Sequence, residues 1–302
     1  MTDQAVLPSG PVPGGAGAPV QAERRRRSRW VEQSILPGFP VAMGITLTYL
    51  GAIVVLPLIA LTIRPWELGL DGVWKALTDE RVAAALKLSF GLSAIAALVN
   101  APLGLLLAWT LTRYEFPGRR ILDALVDLPF ALPTAVAGIA LTAIYAPNGP
   151  LGALFAKVGI KTAYSPVGIF IALVFIGLPF VVRALQPVMQ DQDREVEEAA
   201  QTLGANSLQR AVFVVLPAIA PALISGVSLA FARAVGEYGS VVFIAGNLPM
   251  KTEIAPLLIV IKLEQYDYAG AAAVGLAMVA ISFGALVLIN TAQIFLARRG
   301  RR

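Results

Sequence analysis

Residues 191–217 read Asp191-Gln-Asp-Arg-Glu-Val-Glu-Glu-Ala-Ala-Gln-Thr-Leu-Gly204, then Ala-Asn206-Ser-Leu-Gln209-Arg-Ala-Val-Phe-Val214-Val-Leu216-Pro217. This polar stretch is wedged between two long apolar runs, about 166–185 and 216–238. Acidic residues fill its first turn, where a helix dipole favours them, and Gly204 supplies a stop. Val196, Ala199, Ala200 and Leu203 recur at i, i+3, i+4 and i+7, one narrow apolar stripe whose central alanines let another surface approach closely. Asn206 is placed to cap a second short helix, with Gln209 three residues on. An acidic helix-Gly-helix between two membrane crossings predicts an all-α membrane protein that presents a loop helix outside the bilayer.

Working outward, uncharged runs of about twenty residues recur, the length needed to cross a hydrocarbon core roughly 30 Å thick. The 302 residues are 57% hydrophobic and only 14% charged, with a mean hydropathy of +0.73. A soluble core of this size needs far less apolar surface, and runs this long are not the alternating segments of a closed barrel. Six spans are predicted, at about 41–63, 88–112, 121–146, 166–185, 216–238 and 269–297, the last needing tilt. Before them, residues 1–35 form a Pro-, Gly- and Ala-rich tail ending in Arg24 to Arg27 and Arg29, predicted to be disordered. The transmembrane domain follows over 36–302. Neither Cys nor His occurs, which removes disulfides, thiol nucleophiles, imidazole bases and nearly all transition-metal sites, so no catalytic residue or metal ligand is expected.

Cytoplasmic connections hold the excess of Lys and Arg. The tail, the 113–120 loop, the 183–210 segment and the C-terminus carry fifteen of them, whereas the alternate connections carry seven. Both termini are therefore expected in the cytoplasm. The basic residues explain topology, and nucleic acid is not expected as a partner.

A helix lying on the lipid surface usually has a basic polar face and bulky apolar anchors, and the 191–204 segment has neither. It reads better as a knob for a groove in a partner protein.

The string Glu198-Ala199-Ala200, three residues, Gly204, nine residues, an aliphatic residue (Val214), one residue, then Leu216-Pro217 resembles the EAA loop of binding-protein-dependent ABC importer permeases. Further strings resemble the T-type sulfate/thiosulfate permeases: 111–119, the Asp127 to Gly138 stretch, Pro179-Phe-Val-Val-Arg183, Gln186-Pro187 and 232–247. The resemblance covers about 36–302, and molybdate permeases share much of its middle. It implies a MetI-like fold in a bacterial inner membrane, with a coupling helix through which Glu197, Glu198, Ala199, Ala200, Gly204, Leu216 and Pro217 engage an ATPase. It also implies a W-type second permease, two ATP-binding subunits and a periplasmic protein delivering sulfate or thiosulfate. No Gly-Lys dipeptide exists to begin a phosphate-binding loop, so ATP is expected on the partner and no cofactor on this chain.

Leu128-Pro129 with Pro133 repeats in Leu216-Pro217 with Pro221. For any one proline, the general tolerance of Pro in membrane helices is sufficient; recurrence at matching spacing predicts that these spans line the path and pivot there. Glycines 91, 104, 138, 226, 275 and 284 are expected to permit close helix packing, and Asn100 to hydrogen-bond between helices. Arg233 and Glu237 share one face if the fifth span stays helical through Gly236. Counted from Pro217 they lie roughly 24 and 30 Å in. Snorkelling to the interface is the plain reading. The flanking Gly236 and Gly239 and the gate region implied by the resemblance point instead to an arginine that pairs with Glu237 when closed and meets the oxyanion when open. An ion-coupled secondary transporter is the alternative class, but mid-span charge is nearly absent.

Overall fold

The computed structural model describes residues 38–299; the predicted tail lies outside them. Every regular element among the described residues is helical. The chain divides into two compact units after Ala52. In the first, α1 (Phe39–Leu50) is uncharged along its whole length. The second contains α2 (Leu56–Ile63), α3 (Gly69–Thr78) and the long α4 (Glu80–Arg113). There follow α5 (Arg119–Val126), α6 (Leu128–Ala131), α7 (Thr134–Tyr145), α8 (Pro150–Lys157) and α9 (Pro166–Asp191). The loop pair is α10 (Arg194–Thr202) and α11 (Ser207–Arg210), after which come α12 (Leu216–Val235), α13 (Val241–Ile244), α14 (Ala255–Glu264) and α15 (Tyr268–Arg299).

Starts follow side-chain chemistry. Asp79 accepts from the backbone N–H groups of Arg81 and Val82 at 3.0 and 3.2 Å to cap α4, and Ser165 caps α9 by accepting from Val167 N–H, with Pro166 at the first position. Two five-residue π turns, Gly51–Val55 and Ala211–Val215, each end two residues before a proline in the same sequence, Val-Val-Leu-Pro at 54–57 and 214–217. Proline lacks the N–H that would satisfy the carbonyl four residues earlier, and a widened turn lets the helix pass the defect.

Among the described residues, five helical stretches are long and apolar enough to cross a membrane: Phe39–Thr78, Glu80–Arg113, Pro166–Asp191, Ser207–Val235 and Tyr268–Thr291. The third predicted span needs correction. It is not one helix over 121–146: the chain is extended at Leu132 and Pro133, and beyond that break α7 and α8, bent by 46°, are long and apolar enough only when taken together, as a broken span or a re-entrant loop. Pro133 denies α6 a continuing donor and drives Leu132 out of helical geometry. The fifth span also stops early, at Val235.

Helices α4, α9 and α12 form the core. Leu111, Val181, Val182, Leu185, Met189, Val215 and Ile219 pack towards the α10–α11 face, and Ala96, Ile169, Leu173, Ala234, Val241 and Ile244 towards the other. Small residues set the approach: a Cβ on Gly104 would lie 2.6 Å from Val181, and one on Gly226 2.9 Å from the Val181 Cα. Gly138 and Gly275 likewise meet neighbours, whereas Gly91 and Gly284 face open space, so the packing role holds for four of the six expected glycines.

Candidate functional site

The loop between α9 and α12 has its expected local form. Asp193 accepts from Glu195 N–H at 3.1 Å to start α10. The helix closes when Ala205 N–H reaches back to Ala200 O at 3.0 Å, with Gly204 at φ +89°, the left-handed stop of a Schellman motif. Asn206 and Gln209 form a reciprocal capping box, both bonds 2.8 Å. Gln201 then accepts from Arg210 at 2.8 Å, tying α11 to α10. The apolar stripe faces outward: Leu203 is 89% exposed and Val196 55%, and Phe213 beyond α11 is 74% exposed. Glu198 and Ala199 are exposed as well. So much uncovered apolar surface on a polar loop marks a surface built to be covered.

Glu197 departs from this pattern. Its carboxylate turns inward to pair with Arg113 at the end of α4, the two side chains only 17% and 11% exposed. Arg113 also donates to Gln192 at 3.2 Å and lies 5.5 Å over the Trp109 ring. Leu216 and Pro217 start α12 immediately after the π turn, and both are exposed.

On the same face, Arg183 of α9 clamps α5 and α6. Its guanidinium donates to Asp127 through Nε at 2.8 Å and through a second nitrogen, and to Asp123 at 2.7 Å. Gln186 donates to the same Asp123 oxygen at 3.1 Å. Burial alone would raise the Asp123 carboxyl, but hydrogen bonds from Gln186 and Arg183, with the charges of Arg183 and Arg119, hold it below the usual carboxylate value. The clamp anchors the segment that enters the Pro133 break. Pro129 is the second residue of α6, Pro133 precedes α7, and Pro221 sits inside α12.

On the opposite face, α12 ends at Val235 and Gly236 takes φ −86° and ψ 5°. Glu237 N–H still bonds Ala234 O at 3.1 Å, so the Arg233–Glu237 pair forms although the helix has ended. Glu237 is 3% exposed and also accepts from Ser240, backbone N–H at 2.9 Å and hydroxyl at 3.0 Å. Such a carboxylate is not snorkelling to an interface. Gly177 lies against both Asn100 and Ala230; Glu237, seven residues beyond Ala230, is therefore level with about Ser93, roughly 18 Å along α4 from Arg81. Gly239 and Ser240 lie hard against α7: a Cβ on Gly239 would meet Thr134 at 2.1 Å, and one on Gly138 would meet Ser240 O at 2.4 Å. The pair thus sits at the end of α12, beside the turn against which α7 packs.

Four long-range ion pairs of this architecture escaped the sequence reading: Arg113–Glu197, Arg183 with each of Asp123 and Asp127, and Arg81 with Glu253, the last joined by two 2.7 Å bonds. Their partners are 84, 60, 56 and 172 residues apart. The available signal was the placement of Arg113, Asp127 and Arg183 inside the strings that carried the resemblance. The Asn100 expectation fails: the amide is completely buried, yet neither its nitrogen nor its oxygen has a partner. Its neighbour there is a glycine, which offers room in place of a donor or acceptor. Among the described residues no cluster of metal-capable side chains occurs.

A family model described as a binding-protein-dependent transport system inner membrane component matches residues 100–302. The chain is 46% identical over 268 residues to the sulfate transport system permease protein CysT of Salmonella typhimurium, covering 89% of this chain and 96% of that one. It is 47% identical over 249 residues to the protein of that name from Synechocystis, covering 82% and 87%. Two solved bacterial alginate ABC transporter structures share the fold, with TM-scores of 0.70 and 0.71 at 17% and 15% identity, each covering 84% of this chain and 92% and 94% of theirs.

Proposed function

The chain belongs to the binding-protein-dependent transport system inner membrane components, and from that premise we propose that it is the T-type permease subunit of an ATP-driven sulfate importer, which also carries thiosulfate. It forms half of a pore whose other half is a W-type permease. Two ATPase subunits bind the ATP, one of them seated on α10 through Glu198, Ala199, Ala200 and Gly204, and a periplasmic binding protein delivers the anion. The observation that carries the reading is the outward apolar stripe around Leu203 on a loop that is otherwise polar and capped at both ends.

The pore contribution rests on α7 and α12. Both are interrupted or entered at prolines, and α7 packs against the Gly239–Ser240 turn that follows α12, beside a buried Glu237 whose arginine is partly exposed. A dianion entering there finds Arg233 already oriented; separation from Glu237 frees it. In reconstituted vesicles, sulfate uptake is expected to require ATP and the ATPase subunit, with thiosulfate competing and molybdate failing to compete. Uptake that persists without either would overturn the importer assignment, and uptake of molybdate in preference would change the anion.

Orientation follows from the fifteen-to-seven distribution of Lys and Arg: both termini and α10 lie in the cytoplasm, and the α7–α8 bend faces outward. The chain has no native Cys, so single cysteines at Ser9, Asn148 and Arg301 report cleanly. Only position 148, exposed in the bend, is expected to react with an impermeant thiol reagent in intact cells. Labelling at 9 or 301 would reverse the topology.

A further inference from the structure

Resting on that coupling role for α10, we propose that the Arg113–Glu197 pair is not part of the ATPase docking surface but the link that carries displacement of α10 into the transmembrane helices. Three observations support it. Glu197 is turned away from the outward stripe and is half-buried against α4, while Glu198, Ala199 and Leu203 remain exposed. A partner protein reaches the latter without touching the former.

Arg113 is also the meeting point of three segments. One guanidinium nitrogen donates to both Glu197 of α10 and Gln192, the residue that ends α9. Trp109, one turn back on α4, supports the guanidinium from its ring face. The end of α4 is thereby held to the junction from which α10 hangs. Among the described side chains, this is the hydrogen bond that joins α10 to a spanning helix not adjacent to it in sequence.

Finally, α4 is the helix best placed to pass the movement on. It packs along both α9 and α12 through Gly104, Gly177 and Phe231, and α12 ends at the Arg233–Glu237 pair. An ion pair with both members largely shielded from solvent is little screened by salt and holds a fixed geometry, so it transmits a displacement where an exposed pair would yield. Arg113 and Glu197 are positioning residues; neither touches the anion.

The test uses the complete transporter with its second permease, ATPase subunits and binding protein in vesicles, reading radiolabelled sulfate taken up per ATP hydrolysed. In Arg113→Gln and in Glu197→Gln the ATPase subunits are expected to co-purify in the parental ratio, while uptake per ATP falls about tenfold. The exchange Arg113→Glu with Glu197→Arg is expected to recover most of that loss, which a general folding defect would not allow. A parental ratio of uptake to hydrolysis in both single variants overturns the proposal. Loss of the ATPase from the Glu197→Gln complex also overturns it, because Glu197 is then a docking contact, as does an exchange variant no better than either single one. Failure of the underlying importer reading looks different: the parental transporter would itself take up sulfate without ATP.

Discussion

Gly204→Val abolishes ATP-driven uptake while the chain still inserts into the membrane in parental amounts. Gly204 holds φ at +89°, a region that costs an L-residue about 1–2 kcal/mol and a β-branched one more. Nothing lies within 4 Å of where its Cβ would be, so the substitution does not collide with the rest of the chain. The damage is conformational and local. Valine pulls residue 204 towards negative φ, the Ala205 to Ala200 hydrogen bond of 3.0 Å is lost, and α11 leaves its angle to α10. The outward stripe then no longer matches one rigid groove, and the open space that awaits a partner is filled by an isopropyl group. Uptake falls at least tenfold, since each 1.4 kcal/mol of lost docking energy is a factor of ten. Uptake in vesicles and co-purification of the ATPase check this; parental values for both would remove α10 from the coupling role.

Arg233→Glu abolishes uptake by a different route. Glu237, 3% exposed, would then face a second carboxylate four residues back on α12, and two like charges repel strongly in a poorly solvated site. The arginine offered to the anion is lost at the same time. Exchanging the charges, Arg233→Glu with Glu237→Arg, is expected to restore gating at best. The Glu237 pocket is furnished with two donors from Ser240, at 2.9 and 3.0 Å, which suit a carboxylate and oppose a guanidinium. Sulfate uptake and its concentration dependence read the outcome. If Arg233→Ala transports at the parental rate and affinity, the pair is an anchor for the end of α12 and no gate.

The features legible in the sequence are those settled within one or two helical turns. Asp193, Gly204, and Asn206 with Gln209 each satisfy or release backbone groups a few residues away, so their caps and stop follow from residue type and spacing alone. Five crossings follow from uncharged runs, because the cost of an unsatisfied peptide in hydrocarbon leaves helix as the local answer. Even the two π turns repeat with their Val-Val-Leu-Pro sequence. Where hydropathy alone was read, over 121–146, the expectation of one helix failed at Pro133, whose effect on Leu132 outweighs an apolar average.

Only the tertiary structure decided which charges face each other. Glu197 and Glu198 are neighbours of the same type, yet α10's rotation against α4 pairs the first with Arg113 and leaves the second outside. Glu237 reads as an interfacial residue by its position after α12, and becomes a buried acceptor because Gly138 and Gly239 let α7 press the Ser240 turn against it. Asn100 reads as a hydrogen-bond donor, and the packing sets it against Gly177 with no partner. Local backbone chemistry acts over three or four residues and is written in the sequence in order. Pairing across 56 to 172 residues depends on the rotation and depth of whole helices, which are set by the sum of many small packing contacts, and no single residue carries that sum.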